Sequence, residues 1–276
     1  MIKIGNIEIK QGQFPDGSLL MKMSEEVNEY FNETENIWIT WLYENDAELF
    51  TLICIKRHID NFCYKATVSL RMPYIPHARM DRVKNDEDVF TLKYFCEIIN
   101  SLNFEVIYVR DAHSNVSLAL LNNVIDESAD WWIRIAAEGY NAEALFFPDE
   151  GAMKRYSSDA PLPYAFGMKK RDWKTGKILG LDLINPENIV GKRVLIVDDI
   201  CSRGGTFYHS AKALKTAGAK EVALYVTHLE ETVLSGELPE YGLIDRIYTT
   251  PSIFPANKVD KIKAIDGENW IDVMKE

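Results

Sequence analysis

Two adjacent acids, Asp198 and Asp199, and a glycine pair followed by a threonine, Gly204-Gly205-Thr206, are the residues of this sequence best suited to chemistry. The glycines let the backbone approach a ligand closely and turn its N–H groups toward an anion, and the threonine adds a hydroxyl. Acids beside such an anion cradle repel the anion unless they face hydroxyls or a cation. A sugar phosphate bound with Mg²⁺ suits both the acids and the loop, because its diol faces the acids and its phosphate faces the glycine loop.

The elements that must position these residues form a βαβ unit. Residues 194–197 are an unbroken branched apolar run that two acids end, which is typical of a strand buried on both faces of a parallel sheet. A helix is predicted from about residue 207 to 217 with Gly218 as its stop, followed by a strand over 222–226. Ligands of open α/β sheets bind outside the carboxyl ends of the strands, so the acids and the loop occupy the expected ligand position.

Three other interpretations compete for this stretch. It could be a plain buried strand that ends in a turn, since a motif is a hypothesis until its context fits. A Walker B strand also ends in acids, but the sequence contains no G-x-x-x-x-G-K-[ST] phosphate loop. A receiver domain can begin with Val-Asp-Asp, but few residues follow Asp199 for a typical domain.

Composition and charge limit the classes of protein to which this sequence can belong. The 276 residues favour two domains, and the 47% apolar content can supply a large core. The net charge of −11 argues against broad binding to nucleic acid or to an anionic membrane. Four scattered cysteines, no apolar signal region after Met1 and no 18-residue apolar run predict a cytoplasmic protein with reduced thiols.

Strand and helix patterns alternate along the chain, which favours an α/β fold with parallel sheets. Residues 138–144, around Gly139-Tyr140-Asn141, resemble a domain boundary, and the basic stretch 168–176 resembles a mobile loop. The predicted strands are 37–43, 65–72, 106–109 and 145–147, with helices over 46–61, 89–102 and 153–166.

Residues 194–206 resemble the signature of type I phosphoribosyltransferases, in which an apolar strand, two acids and a glycine-threonine phosphate loop follow one another. Further clusters, in the right order through nearly the whole chain, resemble the ribose-phosphate pyrophosphokinase family, which makes phosphoribosyl pyrophosphate. These clusters are the Phe14-Pro15-Asp16-Gly17 adenine turn, Pro73-Tyr74 with the Ala78-Arg79-Met80-Asp81-Arg82 ATP loop, Asp111-Ala112-His113, Lys169-x-Arg171 and Thr227-His228.

The resemblance implies two related doubly wound α/β domains of type I phosphoribosyltransferase-like fold. Residues 1–140 would form an ATP-binding domain, and residues 141–276 a phosphoribosyltransferase-like domain that carries the sugar-phosphate loop. The family is assembled from dimers, with the adenine turn usually contributed across a subunit interface. The reaction would be a Mg²⁺-dependent transfer of pyrophosphate from ATP to the C1 hydroxyl of ribose 5-phosphate.

The resemblance also implies a role for each matching residue. Two of these residues also allow a purely structural role: Asp149 could cap a helix, and His113 could be a structural histidine. The implied catalytic cations are Lys169 and Arg171; the sugar-phosphate residues are Asp198, Asp199, Ser202, Arg203, Gly204, Gly205 and Thr206; the ATP residues are Phe14, Asp16, Arg79, Asp81 and His113; and the magnesium ligands are His113, Asp149, Asp198 and Asp199.

Ser202-Arg203 replaces the Asp-Thr of the family's sugar-phosphate loop, which makes the loop two charge units more positive. That change raises ADP-ribose as an alternative acceptor, because its 5-position carries a diphosphate and its C1 hydroxyl is free. The product, ADP-ribose pyrophosphate, is suited to rebuilding NAD with nicotinamide. Some phage-type relatives of the family are associated with this kind of NAD salvage. A non-catalytic regulatory relative, or a phosphoribosyltransferase that consumes the activated sugar, remain further alternatives.

Overall fold

The computed structural model describes residues 1–63, 65–171, 178–236, 238, 242–254 and 271–274, with the backbone alone described for 169–171, 178–180 and 273. The chain divides into two compact units, Met1–Glu127 and Ser128–Glu276. Among the described residues, no helix is both long enough and apolar enough to cross a membrane.

The first unit is a mixed α/β layer structure. Its elements are strands β1 (Ile2–Ile4), β2 (Ile7–Glu8), β3 (Gln11–Gln13) and β4 (Leu19–Met21), helix α1 (Glu25–Glu33), strand β5 (Asn36–Trp41), helix α2 (Ala47–Phe62), strand β6 (Thr67–Arg71), helix α3 (Thr91–Ser101), strand β7 (Ile107–Arg110), helix α4 (Asn115–Leu120) and strand β8 (Val124–Glu127).

The second unit repeats the scheme around a larger sheet. Its elements are helix α5 (Asp130–Tyr140), strand β9 (Ala144–Phe147), helix α6 (Glu150–Tyr156), strands β10 (Tyr164–Arg171), β11 (Ile178–Ile184) and β12 (Arg193–Cys201), helix α7 (Gly205–Thr216), and strands β13 (Glu221–Leu229), β14 (Arg246–Thr249) and β15 (Ile271–Val273). Short 3-10 helices lie at Pro186–Asn188 and Glu231–Ser235.

The sheet of the first unit has the order β2-β1-β5-β6-β7-β8, and a separate β3–β4 hairpin carries the turn at residues 14–18. Strands β5 to β8 are parallel, whereas β1 pairs antiparallel with β2 and β5. One apolar cluster joins strand residues such as Ile39 to Leu52 of α2 and Ile99 of α3. The parallel strands therefore end at one common edge of the sheet, where ligands of such folds bind.

The sheet of the second unit has the order β11-β10-β9-β12-β13-β14-β15 and is parallel except for the β10–β11 pair. Both faces are buried, which explains why the β12 sequence is apolar without alternation. Residues of β12 alternate between a core against α7 and a core against α5: Val194 and Ile196 lie in the first, and Leu195 and Val197 in the second. The predicted α/β class with two parallel-dominated sheets is confirmed.

Three local predictions were wrong. The strand does not end at the acids, because β12 continues to Cys201 and keeps its backbone pairing with β13. The helix predicted over 153–166 is α6, which ends at Tyr156 before Pro161 and Pro163, and residue 164 already begins β10. Residues 168–171 of the predicted mobile loop continue β10, and residues 172–177 lie outside the described residues.

The division between the units follows Glu127 rather than residue 140, the boundary expected from the sequence. Helix α5 accounts for the difference, because its buried Ile133 and Ala136 belong to the same apolar cluster as β12 and β13. Asn141, which resembled a linker residue, is the left-handed residue that ends α5.

Candidate functional site

The two acids lie at the topological switch point of the second sheet. The chain passes from β9 to β10 on one side of β9 and later places β12 on the other side. Asp149 follows β9, and Asp198 and Asp199 lie near the carboxyl end of β12. Ligands of open α/β sheets bind in the crevice that such a reversal creates. The topology therefore brings the acids to the edge where a ligand is expected.

Asp199 is the more buried of the two acids, with 8% of its surface exposed. Its backbone N–H donates to Oδ1 of Asp198 over 3.0 Å. Its own Oδ2 lies 3.5 Å from Nη1 of Arg155, a residue of α6. A guanidinium beside a buried carboxylate offsets part of the free energy lost when the carboxylate leaves water.

Arg155 was not identified from the sequence as a functional residue. It lies 44 positions from Asp199 in the chain, and only the packing of α6 beside β12 joins them. The sequence signal available was weak, since a Lys154-Arg155 pair near the end of a helix is commonly a solvated charge pair that complements the helix dipole.

The glycine loop leads directly into α7. Gly204 precedes the helix with a φ of +88°, a left-handed conformation that glycine adopts without strain. A Cβ at this position would also lie 2.4 Å from Cγ of Leu238, so any side chain would collide. The first N–H groups of a helix have no partner within it, and with the helix dipole they favour an anion. Arg203 and Thr206 are exposed beside these N–H groups.

Asp149 acts as the N-cap of α6. Its Oδ1 accepts hydrogen bonds from the N–H groups of Gly151, over 3.0 Å, and Ala152, over 3.1 Å. A capping role of this kind explains an acid at this position without a metal. The described residues contain no group of three or more His, Cys, Asp or Glu side chains arranged to hold a metal ion.

Asp198 and Asp199 nevertheless fit a magnesium ion by the chemistry of their donor atoms. Mg²⁺ prefers hard oxygen ligands and is commonly held by one or two protein carboxylates, with substrate phosphates and water completing its shell. Asp198 and Asp199 are consecutive residues of β12, which the glycine loop follows in the chain, so this end of the strand can offer one or two carboxylates. A cluster of three protein ligands is not needed for such a site.

In the first unit, the predicted turn at residues 14–18 joins β3 to β4. The N–H of Gly17 donates to the carbonyl of Phe14, which closes the turn. Oδ1 of Asp16 accepts from the hydroxyl and the N–H of Ser18, and these hydrogen bonds hold the pKa of Asp16 below its usual value. Half of the Phe14 surface is exposed, so its ring is available to a ligand.

Two further clusters meet at the carboxyl edge of the first sheet. Oδ2 of Asp81 accepts a hydrogen bond from Oγ of Ser114 over 2.8 Å, which joins the loop after β6 to the loop after β7. The guanidinium of Arg82, together with Ser114 and the nearby His113, lowers the pKa of Asp81 to about 2. The exposed His113 follows the buried Asp111, whose φ of +47° turns the chain sharply.

Asp81→Asn is expected to lower the free energy of unfolding by about 1 to 2 kcal/mol at pH 7, because it removes a charged acceptor that joins the two loops. The pKa of Asp81 in the folded protein lies below the usual 3.8, so this contribution is complete above about pH 4 and is lost as the pH falls through about 2. Urea unfolding between pH 7 and pH 2.5 should show the wild type and the variant converging at low pH. The exposed Asp86→Asn variant is the control, and a difference that stays constant with pH would contradict the assignment.

Four more residues of the predicted clusters lie on β10, in the loop after β6 and at the end of β13. Lys169 and Arg171 belong to β10, where the structure describes only their backbone. Arg79 is exposed in the loop after β6. His228 is buried at the end of β13, where Nδ1 lies 3.0 Å from Oγ of Ser252.

The comparisons with known proteins agree with this architecture. Residues 148–258 match the family model described as a phosphoribosyl transferase domain. The chain is 25% identical over 234 residues to the ribose-phosphate pyrophosphokinase of Saccharolobus solfataricus, with 83% of this chain and 79% of that protein covered. It is 26% identical over 280 residues to the ribose-phosphate pyrophosphokinase of Thermosipho africanus, with 96% and 85% covered.

Among solved structures, the phosphoribosylpyrophosphate synthetase from Mycobacterium smegmatis matches with a TM-score of 0.67 at 18% identity, with 97% of this chain and 85% of that chain covered. At that identity the likeness shows the fold alone. Over most of its length the chain is similar in sequence to ribose-phosphate pyrophosphokinases, and it has the α/β fold of type I phosphoribosyltransferases.

Proposed function

We propose that this protein transfers pyrophosphate from ATP to the C1 hydroxyl of ribose 5-phosphate in a Mg²⁺-dependent reaction that gives phosphoribosyl pyrophosphate and AMP. The observation that carries the proposal is the pair Asp198 and Asp199 next to the Gly204 loop at the switch point of the second sheet. Two relatives that match most of this chain are named for this activity.

The second unit would bind the acceptor. Asp198 and Asp199 would hold the ribose 2- and 3-hydroxyls, directly or through Mg²⁺, because carboxylates accept hydrogen bonds from both hydroxyls of a diol. The N–H groups of Gly204, Gly205 and Thr206, at the positive end of α7, would hold the 5-phosphate. Arg155 would orient Asp199 and offset its charge, because its guanidinium lies 3.5 Å from that carboxylate.

The first unit would bind ATP. Phe14 and Asp16 would contact the adenine, and Arg79 would contact the phosphates. Asp81 links the ATP loop to the loop of His113 through Ser114, so both loops would contribute to binding the triphosphate. As in the family, we expect the protein to assemble from dimers, with the exposed turn at Phe14 contributing to a neighbouring subunit.

The chemistry is an in-line displacement at phosphorus. The C1 oxygen of the ribose forms a bond to the β-phosphorus, the bond from that phosphorus to the bridging α–β oxygen breaks, and AMP leaves with both bonding electrons. The hydroxyl proton passes to solvent. Bound Mg²⁺ would neutralise phosphate charge during this transfer. Lys169 and Arg171 would stabilise the charge that develops on the transferring phosphates, and the remaining contribution of the protein is positioning.

The test is AMP formation from ATP and Mg²⁺ by the purified protein, with ribose 5-phosphate as acceptor and phosphorus NMR to follow the new pyrophosphate. We expect AMP and phosphoribosyl pyrophosphate in equal amounts. AMP formation without any acceptor product would indicate ATP hydrolysis, and no AMP with any acceptor would favour a non-catalytic relative. Product formed from a base and phosphoribosyl pyrophosphate without ATP would favour a phosphoribosyltransferase.

ADP-ribose is the second candidate acceptor, and the observation that favours it is the exposed Arg203 at the mouth of the loop. A cation in that position can contact a second phosphate attached to the 5-phosphate. The product would be ADP-ribose pyrophosphate, and the bonds formed and broken would be the same.

Arg203→Thr restores the residue usual in the family and separates the two acceptors. If ADP-ribose is the acceptor, kcat/KM for ADP-ribose should fall about tenfold, as expected for the loss of one charge-assisted hydrogen bond, while any turnover of ribose 5-phosphate changes little. Equal losses for both acceptors would show that Arg203 serves the shared 5-phosphate. Exposed Arg134→Thr, on α5, is the matched control.

A further inference from the structure

The segment of residues 230–236, together with Leu238, lies against the glycine loop of the second unit. The N–H of Glu230 donates to the carbonyl of Cys201 over 2.8 Å, at the point where β12 ends and the loop begins. Within the loop, Oγ of Ser202 lies 3.1 Å from Oγ1 of Thr232. The segment is held to its own unit by Val233, which is fully buried. The loop therefore rests on a second element that is itself packed into the core.

Gly236 lies directly against the backbone of the loop. A Cβ built on this residue would lie 2.0 Å from the carbonyl oxygen of Arg203 and 2.7 Å from its carbonyl carbon. Both are backbone atoms, so no rotation of a side chain could relieve the collision. The backbone of Gly236 has a φ of −94° and a ψ of −166°, which any residue can adopt. Steric contact with Arg203, and not backbone conformation, is therefore what demands glycine here.

The contacted carbonyl belongs to the peptide unit that joins Arg203 to Gly204. A peptide unit is planar and rigid, so a displaced carbonyl oxygen turns the N–H on the other side of the same plane. That N–H is the N–H of Gly204, the residue from which α7 begins. Leu238 closes the other side of Gly204, since it blocks the space that a side chain there would need.

We propose that Gly236 is a positioning residue for anion binding, because it lets the segment of residues 230–236 support the Arg203–Gly204 peptide in the orientation that the 5-phosphate requires. This inference rests on the proposed function, in which the loop before α7 holds that phosphate. Gly236 acts through the loop backbone and need not touch the substrate.

The test compares Gly236→Ala with Gly139→Ala by calorimetric titration with inorganic phosphate and with ribose 5-phosphate, alongside thermal unfolding. Gly139 lies in α5, where a Cβ would make only an ordinary contact of 3.6 Å with Tyr248. We expect Gly236→Ala to weaken the binding of both ligands about tenfold and to raise KM for ribose 5-phosphate more than it lowers kcat. KM for ATP should stay unchanged, and Gly139→Ala should match the wild type.

Wild-type affinity for phosphate in a folded Gly236→Ala variant would overturn the inference. If that variant does not fold, Thr232→Val decides the question, because it removes the hydroxyl that meets Ser202 and that also lies 3.4 Å from Oε2 of Glu230 in the same segment. About threefold weaker phosphate binding supports the inference, and unchanged binding overturns it. Phosphate binding by a wild type that turns over no acceptor would defeat the proposed function and leave this inference standing. A wild type that binds no phosphate would defeat both.

Discussion

Asp199→Asn is expected to lower kcat with ribose 5-phosphate by about a hundredfold to a thousandfold, the range seen when one preorganised electrostatic contact to reacting groups is removed. The substitution keeps the shape of the side chain and removes its charge. Asp199 is buried and lies 3.5 Å from Arg155, so the asparagine would face a cation without neutralising it. AMP release under saturating ATP and Mg²⁺ measures the loss, and a titration with Mg²⁺ shows whether the ion is also held less tightly.

The control for this prediction is Asp159→Asn, which makes the same chemical change at an exposed position of the second unit. Arg155→Gln should also reduce turnover, and the double variant should lose less than the product of the two single losses, because both changes break one contact. Turnover above one third of the wild-type value in a folded Asp199→Asn variant would contradict the assigned role. Additive losses would show that Arg155 acts independently of Asp199.

The βαβ unit around residues 194–226 was predictable because its signals are local. An unbroken apolar run marks a strand buried on both faces, and the alternation of β12 residues between two cores supplies that environment. Gly218 was expected to end α7, and it has the left-handed φ of +95° that such a position favours. The acids did not end β12, because pairing with β13 uses backbone groups and does not depend on side-chain type.

The errors came from signals that compete at short range. The apolar and basic residues after 153 resemble a helix, but Asp149 already caps α6 and two prolines follow its end. Gly139-Tyr140-Asn141 resembles a linker, yet in this chain it is the final turn of a helix. A left-handed asparagine ends helices and also occurs in loops, so the sequence could not separate the two.

The contacts that refine the site join residues far apart in the chain. Arg155 meets Asp199 only because α6 packs beside β12, and Gly236 meets Arg203 only because the segment after β13 folds back onto the loop. Neither residue forms a local pattern with its partner. The residues of the proposed chemistry could therefore be read from the sequence, whereas the contacts made by Arg155 and Gly236 depend on tertiary packing.

Lys169→Ala is expected to lower kcat by about a thousandfold while leaving thermal unfolding unchanged. In the proposed reaction this cation stabilises charge on the transferring phosphates, and cations that do so in phosphoryl transfer contribute about 10³-fold or more. The fold should tolerate the change, because β10 is held by backbone pairing to β9 and β11, with Lys169 opposite Leu181 in the register. The assignment of this role to Lys169 rests on the family resemblance of Lys169-x-Arg171.

The exposed Lys212→Ala variant, on α7, makes the same change away from the proposed chemistry and should retain full activity. Because the lost interaction belongs to the transition state, kcat and kcat/KM should fall together and KM for both substrates should change little. A large rise in KM for ATP with kcat preserved would instead make Lys169 a ground-state ligand of the triphosphate. Near-normal kcat and KM would remove Lys169 from the site altogether, and Arg171→Ala would then show whether the other cation of the motif carries the charge alone.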